Sequence, residues 1–97
     1  MREYEMMFIL KPDLSEEEIT ESKERLQKII ADFGGEFLNE LEGWGKKRMA
    51  YPIEKYTEGI YSVWNFKGES ETVQELDRII KISDRFLRHI IIRLDEK

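Results

Sequence analysis

Hydrophobic and polar residues alternate at two different periods in the first third of the chain. Within residues 2–10, every second residue from Tyr4 to Leu10 is apolar, which predicts a strand with one buried face. Over residues 16–33 the apolar residues recur at helical spacing, which predicts an amphipathic helix. Ser15 and Glu18 have the spacing of a capping box at the start of that helix, and Gly34 supplies a left-handed stop at its end.

The rest of the chain adds three strands and one helix. We predict strands over residues 36–48 and 60–67, with a polar turn over residues 54–59 just before the second of them. Ser70 is predicted to cap a second helix, whose apolar residues form one stripe. Residues 86–94 are rich in β-branched and apolar side chains and predict the last strand.

The order βαββαβ predicts an α+β protein of the ferredoxin-like class, with a split βαβ arrangement. The expected sheet has four strands, is antiparallel and carries both helices on one face. Strands one and three are taken to be central and to run parallel to each other, with strand two beside strand three and strand four beside strand one. A chain of 97 residues has room for one core, so a single domain over residues 1–97 is expected.

Composition removes several classes of function. The chain has no cysteine, which excludes disulfides, thiolate metal sites and a cysteine nucleophile. No apolar run approaches the roughly 18 residues of a membrane helix, and acids near the N-terminus do not fit a signal peptide. His89 is the only histidine, so we interpret it as structural or interfacial. We therefore expect a cytoplasmic protein with no membrane partner, no metal, no cofactor and no small-molecule substrate.

The distribution of charge changes the picture that the net charge suggests. A net charge of -5 argues against a general nucleic-acid binder. Residues 1–42, however, hold 5 basic and 12 acidic side chains, whereas residues 43–97 hold 11 basic and 9 acidic ones. The local surface of the second part can therefore be basic although the whole chain is acidic.

The expected topology brings basic residues together at one end of the sheet, while the acidic first helix is expected to start at the opposite end. Basic clusters with aromatic neighbours, here Trp44 and Tyr56, suggest contact with phosphates and bases. The alternative is a set of ordinary solvated surface charges. The proposed RNA-binding residues are Arg2, Lys46, Lys47, Arg48, Tyr51, Lys55 and Arg93. A possible second basic group around the last helix and strand consists of Arg78, Lys81, Arg85 and Arg88.

The open face of the sheet is a second candidate surface. An RNA-recognition module with this fold would carry stacking aromatics at set places on strand three, and residues 58–65 lack that pattern. Base stacking on the open face is therefore not expected. Apolar groups from strand one, strand four and either Trp64 or Val63 are expected there instead, which suits a protein partner or scattered exposure.

Residues 45–53, Gly-Lys-Lys-Arg-Met-Ala-Tyr-Pro-Ile, closely resemble the signature of the bacterial small-subunit (30S) ribosomal protein six family. Residues 2–5 with Pro12 and Leu14 resemble the family as well, as do residues 82–84. The resemblance implies a ferredoxin-like fold without catalysis and a structural role in the small ribosomal subunit during translation. It also implies binding to 16S rRNA in the central domain, at the platform, together with small-subunit ribosomal protein eighteen as a heterodimer.

Two other functions on the same fold remain open at this point. One is a small enzyme of the acylphosphatase type, although residues 11–14 lack the arginine-bearing glycine-rich loop of that family. The other is a dimeric regulatory module that binds a metabolite through its sheet.

Overall fold

The computed structural model describes residues 1–94, except for the side chains of residues 42–44. Four strands and two helices follow one another in the predicted βαββαβ order. Their bounds are β1 Arg2–Leu10, α1 Glu16–Asp32, β2 Glu36–Ile53, β3 Tyr56–Gly68, α2 Ser70–Ile82 and β4 Phe86–Arg93. Within residues 1–94 no helix is long and apolar enough to cross a membrane.

The sheet has the strand order β2-β3-β1-β4, and every neighbouring pair is antiparallel. The predicted positions of the strands are confirmed, but the prediction that strands one and three run parallel is wrong. The crossover through α1 makes β1 and β2 run in the same direction, and the hairpin then reverses β3. Arg2 therefore pairs with Gly68, and Leu10 pairs with Ile60.

The core lies between the sheet and the two helices. Phe8 is fully buried and meets Trp64 edge-on, with ring centroids 5.0 Å apart, and Phe86 at 5.7 Å. Leu26 and Leu76 close the core from the two helices and are also fully buried. These side chains belong to one hydrophobic cluster of buried residues.

The ends of α1 follow the predicted local signals. Ser15 Oγ accepts a hydrogen bond from the Glu18 amide at 3.2 Å, and Glu18 accepts one from the Ser15 amide at 2.9 Å. Gly34 has the positive φ of 83° that ends the helix. The predicted capping box and left-handed stop are confirmed because both depend on neighbouring residues alone.

The cap of α2 differs from the prediction. Glu69, not Ser70, is the N-cap residue, and Thr72 Oγ1 accepts from its amide at 3.1 Å. The same hydroxyl donates to the Phe33 carbonyl oxygen at 2.7 Å. A buried threonine that joins two parts of the chain therefore decides where the helix begins.

The hairpin of β2 and β3 is longer than predicted. β2 continues past its predicted end at residue 48 to Ile53, and β3 begins inside the predicted polar turn, at Tyr56. The connection is two residues, Glu54 and Lys55, which have positive φ values of 49° and 75°. Positive φ at both turn residues matches the twist of a tight hairpin. Pairing with β1 stops at Ile60, so residues 47–59 form a two-stranded projection, here called the ribbon.

Candidate nucleic-acid interface

The ribbon and its base carry most of the predicted RNA-binding residues. Lys46, Arg48 and Lys55 are exposed, whereas Lys47 is half-buried. Lys46, Arg48 and Lys55 form no ion pair with any of the residues that the structure describes. Their charge is therefore available to a phosphate backbone, which attracts side chains of this kind.

Arg2 and Arg93 do not join this group, and their predicted place beside it is wrong. Arg2 lies opposite Gly68, while Arg93 lies opposite Tyr4, at the far end of the sheet from the ribbon. The physical reason is the antiparallel pairing of β1 and β3, which places the start of β1 beside the end of β3. The residues of the predicted patch therefore form two basic regions at opposite ends of the sheet.

The acidic start of α1 also lies elsewhere than predicted. Because α1 follows the end of β1 directly, its first turn is near the ribbon and not at the opposite end. Glu16 and Ile19 line the same groove as Lys46 and Ile60. This acidic turn lowers the positive potential beside the ribbon.

Within the second basic group, Arg78 and Lys81 have partners on their own helix. Arg78 makes two hydrogen bonds to the Glu75 carboxylate, and these raise the pKa of Arg78. Lys81 Nζ lies 2.9 Å from Asp77 Oδ2. The two cations therefore partly neutralise acids of α2.

Arg85 has a structural role inside the domain. Its Nη1 donates to the Glu18 carbonyl oxygen at 3.2 Å and to Ser22 Oγ at 3.3 Å, and it pairs with Glu21 at 3.3 Å. These contacts connect the start of β4 to α1. A guanidinium occupied in this way is a poor candidate for an RNA contact.

Arg88 is the one member of the second group that reaches the ribbon. Its Nη1 donates to the Tyr51 hydroxyl at 2.9 Å, and the guanidinium carbon lies 5.9 Å from the ring centroid of Tyr51. The two residues are 37 positions apart in the chain. Sequence reasoning placed them in separate groups because no local pattern connects a hairpin residue with the last strand.

Other aromatic rings near the ribbon also face cations. Lys11 Nζ lies 5.9 Å from the ring centroid of Tyr56, and Lys47 Nζ lies 5.7 Å from that of Tyr61. Sequence reasoning missed Lys11, although its position at the end of β1 was a usable signal. The side chain of Trp44, named as an aromatic neighbour, lies outside the described residues.

Of the two alternatives predicted for the open face, Trp64 is not the one found there. It faces the helices, is 1% exposed and donates from Nε1 to Glu40 Oε1 at 2.8 Å. Burial raises the pKa of Glu40, but hydrogen bonds from Trp64 and Lys23 outweigh it, and the net pKa is lowered. Val63 takes the open side instead, because successive strand residues alternate between faces.

The open face carries a row of apolar side chains. Met7 of β1 pairs with Val63 on one side and with Ile90 on the other, so the three share this face. Ile90 and Ile92 are about half exposed. Strands one and four therefore expose apolar side chains on the open face, as predicted. The exposed side chains form a narrow row.

His89 packs against α2 as a structural residue. Its Nε2 lies 2.6 Å from Asp77 Oδ1. Hydrogen bonds from Lys81 and then His89 lower the pKa of Asp77. The part of the chain that the structure describes holds no cluster of three potential metal ligands.

Comparisons with known proteins agree on one family. A family model described as "Ribosomal protein S6" matches residues 3–93. A protein of Syntrophomonas wolfei named small ribosomal subunit protein bS6 is 74% identical over 97 residues, which cover all of both chains. A protein of the same name from Desulforudis audaxviator is 53% identical over 95 residues, 98% of this chain and 100% of that relative.

A solved structure extends the comparison to three dimensions. The crystal structure of 30S ribosomal protein S6 from Thermotoga maritima superposes with a TM-score of 0.88 at 34% sequence identity. The match covers 96% of this chain and 87% of that one. The predicted ferredoxin-like arrangement is confirmed by this neighbour.

Proposed function

The chain belongs to the ribosomal protein S6 family, and we propose that it binds the central domain of 16S rRNA at the platform, cooperatively with small-subunit ribosomal protein eighteen. Membership makes it a structural protein of the bacterial small ribosomal subunit, with a role in translation in the cytoplasm. It is not an enzyme, so the acylphosphatase alternative is wrong.

The ribbon is the observation that carries the RNA part of this proposal. Lys46, Arg48 and Lys55 project on or beside a narrow two-stranded element, and the structure gives them no acidic partner among its described residues. Several other cations, such as Arg78 and Arg85, are engaged by carboxylates. The ribbon and its base thus present a cluster of unpaired positive charge to phosphates.

The acidic remainder of the molecule supports the cooperative part. The chain has a net charge of -5, and the first turn of α1 places Glu16, Glu17 and Glu18 near the ribbon. Such a surface repels a polyanion but attracts a basic protein. A basic partner bound on the acidic and apolar surfaces would remove the repulsion and add its own phosphate contacts.

Removing the ribbon charges tests the RNA surface. Replacing Lys46, Lys47 and Arg48 together by Ala is expected to weaken binding of the chain and protein eighteen to a central-domain rRNA fragment. The slope of log affinity against log salt concentration should become shallower by about 0.7–0.9 for each phosphate contact that is lost. Filter binding or fluorescence titration at several salt concentrations measures both quantities.

A matched control removes the same number of charges from the helices, through Ala at Arg25, Lys28 and Arg78. We expect this variant to keep the wild-type salt slope. An unchanged slope and affinity in the ribbon variant would exclude the ribbon as the RNA surface. Tight binding of the chain to the fragment without protein eighteen would contradict the cooperative mechanism.

A further inference from the structure

The ribbon has little backbone support, although it carries the cations assigned to RNA. Its two strands, residues 47–53 and 56–59, pair only with each other, because the β1–β3 ladder ends at the Leu10–Ile60 pair. An isolated two-stranded hairpin is at best marginally stable in water. Side-chain contacts with the body must therefore set its direction.

One set of contacts holds the base of the ribbon. Met49 is 7% exposed, and Gly59 lies so close to β1 that a Cβ there would be 2.3 Å from Ile9 Cγ2. Next to the turn, at the other end of the ribbon, the Tyr56 hydroxyl approaches Asp13 Oδ2 at 3.5 Å, with Lys11 over the same ring. These contacts all join the ribbon to β1 or to the segment that follows it.

Among the described residues, one hydrogen-bonded side-chain pair joins the ribbon to the opposite edge of the sheet. Arg88 lies on β4, opposite Ile9 of β1, and its Nη1 donates to the Tyr51 hydroxyl at 2.9 Å while the guanidinium lies over the ring. Tyr51 is 55% exposed, so the pair is accessible and not part of the core.

We propose that Arg88 and Tyr51 form a clamp that orients the ribbon for RNA, so that Arg88 is a positioning residue and not one of the phosphate contacts. This inference rests on the proposed function, since it explains how the ribbon cations are presented. A ribbon held in its bound direction avoids the entropic cost of ordering on association. An arginine suits the role because its planar group stacks on a ring while it donates a hydrogen bond.

A double-mutant cycle with a salt titration tests the clamp. Arg88→Ala and Tyr51→Phe are each expected to weaken binding of the complex with protein eighteen to the rRNA fragment by about threefold to tenfold. Because the two residues act as one unit, Tyr51→Phe should add almost nothing to Arg88→Ala. Both variants should keep the wild-type salt slope, whereas Lys46→Ala, the matched control, should make it shallower.

Hydrogen exchange of the RNA-free chain gives a second readout. In Arg88→Ala the ribbon amides, such as those of Arg48 and Glu58, should exchange about threefold to tenfold faster, with the amides of α2 unchanged. This measurement tests the clamp even if the wild-type complex fails to bind RNA, an outcome that would contradict the proposed function alone. An unchanged exchange rate of the ribbon amides in Arg88→Ala would overturn the clamp. So would additive losses of affinity in the double-mutant cycle. A salt slope for Arg88→Ala as shallow as that for Lys46→Ala would also overturn it, because Arg88 would then be a phosphate contact.

Discussion

The helix-covered side of the sheet and the ribbon share two strands, β2 and β3, yet they differ in how they are stabilised. Under the helices, β3 contributes Trp64 and Phe66, which are buried in one core with Phe8. Over residues 56–59, before Ile60, the same strand lies outside the core and has only β2 as a neighbouring strand.

The charges of the two regions follow the same division. The polar groups beside the core find partners within the domain, as Glu40 does with Trp64 and Lys23. The cations on or beside the ribbon, Lys46, Arg48 and Lys55, have no such partners among the described residues. Polar groups that pair within the domain stabilise the fold, whereas cations without an internal partner are suited to bind a partner outside the chain.

The largest expected effect lies in the core. Phe8→Ala should lower the free energy of unfolding by about 3–5 kcal/mol, because it removes a fully buried ring that contacts Trp64 and Phe86. Urea denaturation followed by tryptophan fluorescence measures the loss. A loss below about 1 kcal/mol would show that this side is no more tightly packed than the ribbon.

An intermediate effect is expected where the ribbon leaves the sheet. Gly59→Ala should cost about 1–3 kcal/mol in urea denaturation, since the new methyl group would overlap Ile9 Cγ2. Gly45→Ala is the matched control in the same hairpin, because a Cβ there has no atom within 4 Å. Equal losses in the two variants would mean that Gly59 is not packed against β1.

The smallest expected effect depends on pH. The pKa of Glu40 is lowered in the folded chain from its ordinary value of 4.5, so its ionised form stabilises the fold above that pH and loses this contribution as the pH falls. Glu40→Gln should therefore cost about 1 kcal/mol at pH 7, discounted for the partial exposure of the carboxylate. The difference from wild type should vanish in acid.

Urea denaturation of both proteins between pH 7 and pH 3 tests this dependence. Glu24→Gln, at an exposed position of α1, serves as the control and should stay within about 0.5 kcal/mol of wild type at every pH. A Glu40→Gln loss that persists unchanged at pH 3 would show that the charge of Glu40 is not its source.

Local signals predicted most of the fold. The capping box at Ser15 and the stop at Gly34 depend on residues close in sequence, and the predicted α1 ends within one residue of the observed one. Predictions failed where residues distant in sequence determine the bounds of an element. Thr72, hydrogen-bonded to the Phe33 carbonyl oxygen, determines the start of α2. The hairpin is longer than predicted because its turn is formed by Glu54 and Lys55, and neither is the glycine that usually marks such a turn.

The sequence by itself determined the element order, the two buried helix faces, the absence of thiol chemistry and the family of the chain. These properties follow from periodicity, composition and neighbouring residues. Only the tertiary structure decided which cations lie together. The direction of β3 relative to β1 moved Arg2 and Arg93 away from the ribbon and brought Arg88 to Tyr51, because strand pairing, and not position in the chain, determines which side chains are neighbours.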